Sequence, residues 1–244
     1  MATPYRHPLQ ALCAGLLVAT AGAQADPGYY VVPVYEADAV ARVDMRYWTV
    51  RLRGRSTVVW PEIGVGYGLH KRWFTEVLAS YIGSASQATH WSSLQWQNDF
   101  LLTQGQFDVD VALHTLLLHY NDGGGHALEF GPAMQTEWGR WRLNANLLFE
   151  RPWGLAKARP TQFKYQWQAV YRWRPEFQFG LRGFGELGEW DDWAPSGNRS
   201  QRLGPVVQGS LGGSGNWNYQ FSYLEGKIYG RRGHMLSARL SVDF

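Results

Sequence analysis

The chain has 244 residues and a single cysteine, Cys13, which sits inside an apolar leader. If the leader is removed, the mature chain can form no disulfide and supply no catalytic thiol, which suits an oxidising compartment. After residue 25 no run of 18 apolar residues occurs, which excludes a membrane-spanning helix. Charge of one sign is also scarce: the formal net charge is +3, with Lys and Arg spread along the chain, so the sequence carries no nucleic-acid footprint. No cofactor motif and no metal-ligand spacing stands out. What the chain has in quantity is aromatic side chains, 15% of all residues with 13 Trp among them.

Met1 to Ala25 read as a signal peptide: Arg6 and His7, an apolar run from Ala11 to Ala21, then the small-residue site Ala23-Gln24-Ala25. Leu12 before Cys13 argues against lipidation. Residues 26–40 (DPGYYVVPVYEADAV) are apolar and aromatic but broken by Pro27 and Pro33, and are expected to be a short edge extension, a periplasmic tail or an inward-folded plug. From Ala41 to Phe244 segments of about ten residues alternate in polarity between turn residues, the signature of a transmembrane barrel. A barrel is the one remaining way to cross a bilayer, because every backbone polar group must be paired internally. The expectation is an all-β chain: a single antiparallel up-and-down β-barrel of about 12 strands, with both ends at the periplasmic face.

The alternation is uneven in places. In Ala41 to Arg53, Val43, Met45 and Tyr47 share one face and Trp48, Val50 and Leu52 the other, which predicts a bulge near Tyr47. Phe107 to His114 reads as the fifth strand. Tight turns are expected at Gln104-Gly-Gln106, Gly139-Arg140, Arg174-Pro-Glu176 and Gly212 to Gly215. Longer connections are expected at Gly83 to His90, Arg151 to Thr161 and Gly188 to Gln201. Trp73, Phe107, Trp138, Trp141, Trp173, Phe177 and Trp217 lie beside the tight turns, and Tyr81, Trp91, Phe149, Phe163, Tyr223 and Tyr229 near the long loops. Two aromatic rings at opposite strand ends make the apolar stripe lipid-facing and the polar stripe luminal.

The luminal stripe then divides by charge. Glu62, Glu76, Asp99, Asp108, Asp110, Glu129 and Glu137 form an expected acidic wall. Arg142, Lys164, Arg172, Arg174, Arg182, Arg202 and Arg239 form an expected basic wall, with Glu150, Glu186 and Asp243 as exceptions. Opposed walls would set up a transverse field selecting polar solutes; the plainer reading is a network of structural ion pairs filling the interior. Gly64-Val-Gly-Tyr-Gly68 lacks the Lys-Ser/Thr of a phosphate loop and reads as strand glycines. Trp190-Asp-Asp-Trp193 could offer carboxylates to a cation, though solvated loop acids are the simpler account. Among histidines only His114, with Asp110 on its face, looks placed for catalysis, and no serine motif accompanies it.

The last nine residues, Leu236-Ser-Ala-Arg-Leu-Ser-Val-Asp-Phe244, alternate perfectly and end on a bare aromatic. This resembles the terminal signal of bacterial outer-membrane barrels, which implies that Leu240, Val242 and Phe244 are read by the barrel assembly machinery. Trp60-Pro-Glu-Ile-Gly-Val-Gly-Tyr-Gly, Trp96-Gln-Asn-Asp, Lys164-Tyr-Gln-Trp and Gly183-Phe-Gly-Glu-Leu-Gly-Glu-Trp190 resemble proteobacterial outer-membrane barrel proteins. A more distant likeness is to the barrels associated with aromatic-compound (phenol meta-pathway) degradation. The resemblance implies a Gram-negative outer-membrane location, contact with outer-membrane lipid and lipopolysaccharide, and a monomeric narrow channel for a small-molecule solute. The alternatives are a plugged barrel with a structural or surface-interaction role, and an outer-membrane hydrolase.

Overall fold

The computed structural model describes residues 30–36, 38–121, 123–211, 216–228 and 230–244. The signal peptide, Cys13, the Gly212 to Gly215 turn and Tyr229 lie outside the described residues.

Among the described residues twelve antiparallel strands close into one barrel. In chain order they are β1 (Ala41–Leu52), β2 (Val58–His70), β3 (Trp73–Ser84), β4 (Gln87–Leu101), β5 (Asp110–Tyr120) and β6 (His126–Trp138). They continue with β7 (Trp141–Trp153), β8 (Gln162–Arg174), β9 (Phe177–Glu189), β10 (Ser200–Leu211), β11 (Trp217–Ile228) and β12 (Arg231–Asp243). Each strand pairs with its sequence neighbours, and β12 closes on β1 from Arg42↔Asp243 to Leu52↔Gly233. The seam is finished by the Phe244 N–H donating to the Ala41 carbonyl at 2.8 Å. Closure leaves no open edge, so every strand finds its ladder partners inside the barrel wall.

The exterior confirms the predicted facing. Ile63, Val65, Val77, Leu94, Trp96, Leu117, Leu181, Leu203 and Phe221 are exposed on the outer wall. All seven aromatics expected beside the tight turns are exposed, up to 77% for Trp138 and 69% for Phe107. Large apolar side chains left open around a whole wall require a solvent that is itself apolar.

Four expectations are corrected. β1 carries no bulge: its register with β2 and β12 runs unbroken, and Arg42, Asp44, Arg46, Trp48 and Val50 all point inward. The inner face therefore changes from charged to apolar along the strand while the strand stays regular. The β3–β4 connection is a tight turn at residues 85–86, because both strands run on beyond the apolar band. The β4–β5 connection is longer than expected, residues 102–109, so Phe107 and Asp108 precede β5. Consequently Asp108 is an exposed loop residue, with its carbonyl accepting from Thr136 at 2.6 Å, and it does not face the lumen.

Candidate functional site

The site is the barrel interior. Residues 30–36 lie within it, entering from the end where β1 begins; the chain reverses at Ala39, whose φ of 55° is left-handed, and Ala39 N–H donates to Gly68 O at 3.1 Å. Val32 is held by two polar side chains of the wall. Its N–H donates to Gln166 Oε1 at 3.1 Å, and its carbonyl accepts from Asn146 Nδ2 at 3.0 Å. Val32 and Val34 pack on Leu101, Ala112 and Ala133. Here the small Ala112 and Ala133 leave the room that the segment fills.

Further in, Tyr30 and Val31 join a buried cluster of Trp48, Val50, Trp60, Phe184, Leu224, Ile228 and Met235. Tyr30 Oη lies 3.2 Å from the carbonyl of Tyr47 and 3.0 Å from that of Ala238, two strands' backbones at the β1–β12 seam. Burial pushes the Tyr30 phenol up, so it stays protonated and donates. Tyr35, nearer the entry end, donates to Asp110, and its phenol is pushed up to about 12, by lost hydration first and by the Asp110 carboxylate next. Glu36 pairs with Arg42, which also holds Asp243 at 2.7 Å.

The charged residues form local clusters. Asp44 receives Arg46 and Arg239, both at 2.8 Å, and Arg46 reaches on to Glu76 at 2.5 Å. Glu62 accepts from Ser80 Oγ at 2.5 Å and Gln95 Nε2 at 3.1 Å. Asp99 binds His114 Nδ1 at 2.6 Å, and His114 Nε2 lies 3.5 Å from Glu129. Lys164 bonds Glu129 at 3.1 Å and also Glu150. Arg202 bonds Glu186 at 2.6 Å. At the end where β1 begins Arg172 and the exposed Glu137 pair at 2.7 Å, and Arg174 lies over the Trp173 ring at 4.8 Å. Asp110 bonds Tyr35 and the Gly105 N–H, and His114 takes Asp99 as its partner in place of Asp110.

Three expected basic residues lack a carboxylate partner among the described residues: Arg174, exposed at the strand end, and Arg182 and Arg142 inside the barrel. Arg182 is fully buried and donates to Gln220 at 2.9 Å and Gln168 at 3.0 Å, with its Nε bonded to nothing. Arg142 donates to Gln178 at 3.2 Å, and its Nε also lacks a partner. Around the latter two, β7 to β11 supply amides: Gln168 donates to Asn144 at 3.0 Å, and Gln220 donates to Gln208 at 3.0 Å. Neutral amides solvate a guanidinium without cancelling its charge, so this part of the wall is electropositive.

Arg42, Asp44 and Arg46 escaped the sequence reading. A signal for them existed: three charges spaced by two cannot face lipid, so they fix the inward face of β1. Trp48 and Val50 then follow on the same face, and an inward aromatic calls for an apolar partner inside the barrel. Tyr30 and Val31 are that partner.

A closed antiparallel barrel with an apolar exterior, aromatic residues at the strand ends and a polar, charged interior is the fold of a bacterial outer-membrane β-barrel. No family model matches the chain, and no curated protein does. Among solved structures the chain is similar to an outer membrane channel from Pseudomonas putida F1, with a TM-score of 0.64 at 11% identity, over 90% of this chain and 99% of that one. It is also similar to the NanC porin (TM-score 0.61, 10% identity, 83% of this chain and 100% of that) and the KdgM porin (TM-score 0.59, 5% identity, 83% and 99%). At these identities the likeness establishes the fold, nearly end to end.

Proposed function

We propose that the protein is a narrow outer-membrane channel for small polar solutes, with residues 30–36 seated in its lumen as a displaceable plug. The observation that carries this is the pairing of an amide belt, with Arg142 and Arg182 lacking carboxylate partners, to a luminal segment whose inner part, residues 30–34, is held by few polar bonds, while Tyr35 and Glu36 bond Asp110 and Arg42 near the entry. Val32 is secured by one amide on each side of its peptide, and Tyr30 by a single hydroxyl. The structural neighbours whose names call them channels or porins support the reading.

An enzyme is disfavoured by the histidine. His114 sits between Asp99 and Glu129, and among the described residues no serine or threonine hydroxyl bonds to it. The second reading, a permanently plugged barrel, is favoured by the apolar cluster around Tyr30. Planar-bilayer conductance separates the two. The intact protein is expected to show small, infrequent openings, and deletion of residues 26–36 to give steady, larger ones. Silence from both proteins would replace the channel by the structural barrel.

A further inference from the structure

The extracellular rim carries a charge pattern that the lumen does not use. There β1, β12 and β11 end in register: Arg51 stands beside His234, and His234 beside Glu225. One row further out, Arg232 stands beside Lys227 and Lys227 beside Gln201. Val50, Leu224 and Met235 point inward, so Arg51, His234, Glu225, Lys227 and Arg232 stand on the outer wall by alternation. Arg53 and Arg55 of the β1–β2 loop and Arg199 of the β9–β10 loop join them around a cleft of 1220 Å³. At its inner side the cleft is bounded by Leu52, Gly226 and Gly233, and Leu52 packs on the buried cluster that closes the lumen beneath it.

Six of the residues lining the cleft are Arg or Lys, and Glu225 is its one carboxylate. Inside the barrel most charges are closely paired, Arg142 and Arg182 excepted. Here, among the described residues, Arg51, Arg53, Arg55, Lys227 and Arg232 have no carboxylate within ion-pair distance. Glu225 is itself engaged by the Tyr223 hydroxyl at 3.1 Å. Grouped cations without partners repel one another, and a multivalent anion turns that repulsion into binding.

Position names the anion. Tyr223 lies one row nearer the membrane on the same outer face, stacked on His234 with centroids 5.8 Å apart. It belongs to the ring of aromatics that marks the lipid–water boundary. Below the cleft the wall continues as Leu236, paired with Tyr223, and Leu203, 58% exposed, stands beside Glu225 at the cleft's edge. A basic cleft directly above an apolar ledge matches a molecule that is phosphate at one end and acyl chain at the other. The cleft is at the end opposite Ala41 and Phe244, so it faces the outer leaflet.

We propose that this cleft binds the phosphorylated head group of an outer-leaflet lipid, with Arg51, Arg53 and Arg232 on the phosphates and the acyl chains along Tyr223, Leu236 and Leu203. The proposal rests on the outer wall facing lipid and is independent of whether the lumen conducts.

The test is binding of bisphosphorylated lipid A, and of the same lipid with its phosphates removed, to the full-length barrel in neutral detergent by native mass spectrometry. Wild type is expected to retain the phosphorylated lipid and to lose roughly tenfold or more in affinity when the phosphates are absent, the scale of lost charge-assisted bonds. The variant R51A/R53A/R232A should show the same loss, and Glu225→Gln should bind at least as well as wild type. Equal binding by the triple variant, or inorganic phosphate binding as tightly as the lipid, overturns the proposal. Unheated electrophoresis in SDS reports barrel closure separately, so a variant that fails to fold is recognised and Glu225→Gln together with the dephosphorylated lipid still decides. A wild-type protein with no heat-dependent mobility would instead sink the membrane-barrel reading.

Discussion

Trp48 of β1 lies stacked on Trp60 of β2 inside the barrel, ring centroids 4.0 Å apart and planes 10° from parallel. Two indoles facing a lumen are costly unless something apolar covers them, and Tyr30 and Val31 do so. Trp60→Ala should therefore destabilise the barrel by about 3–5 kcal/mol, the usual range for truncating a buried aromatic. Denaturant unfolding in detergent, followed by tryptophan fluorescence, checks the value. A double-mutant cycle with Tyr30→Ala should show coupling, since the two share one cluster; strict additivity would mean that the segment does not rest on the stack.

Lys164 is the hub of a buried triad with Glu129 and Glu150. Replacing it by Met strands two carboxylates in a low-dielectric interior, at a cost of about 3–5 kcal/mol. Restoring neutrality with Glu129→Gln and Glu150→Gln should recover most of that loss. If the triple variant is as unstable as Lys164→Met alone in denaturant unfolding, packing of the lysine stem outweighs its charge.

Arg182 should govern selectivity if the lumen conducts. Arg182→Gln removes a buried charge that no carboxylate balances, so the reversal potential should move toward cation preference. Asp108→Asn, out on its exposed loop, should change it far less. Both effects should shrink at 1 M salt, where screening acts over about 3 Å. An unchanged reversal potential in Arg182→Gln would exclude it from the ion path.

Phe244 is 73% exposed and secured to the seam through its backbone N–H. Its ring contributes roughly 1.5–3 kcal/mol at most through burial in lipid. Deletion should nonetheless lower the amount of heat-modifiable protein in the outer membrane much more than refolded stability, because the terminal strand is the expected recognition element. Matching losses in the two assays would make its role purely energetic.

The amino-acid sequence by itself determined the barrel, an approximate count of its strands and the facing of most of its wall. Period-two alternation needs no long-range information: one apolar and one polar face per segment, repeated an even number of times, leave a closed barrel as the arrangement that pairs every backbone group. The terminal strand Leu236 to Phe244 and the aromatics beside the turns were legible for the same local reason. Where alternation mixes classes, local pattern misled. In β1 the inward face passes from Arg46 to Trp48, and only register with β12 and β2 shows that the strand stays regular. The interior was decided by tertiary structure. Which acid meets which base depends on strand stagger, which brings Lys164 to Glu129 two strands away and leaves Arg182 among amides. The apolar side chains at Trp48, Trp60 and Phe184 make sense only because a segment more than ten residues upstream of Trp48 folds back onto them. That contact spans the lumen, and no periodicity along a single strand encodes it.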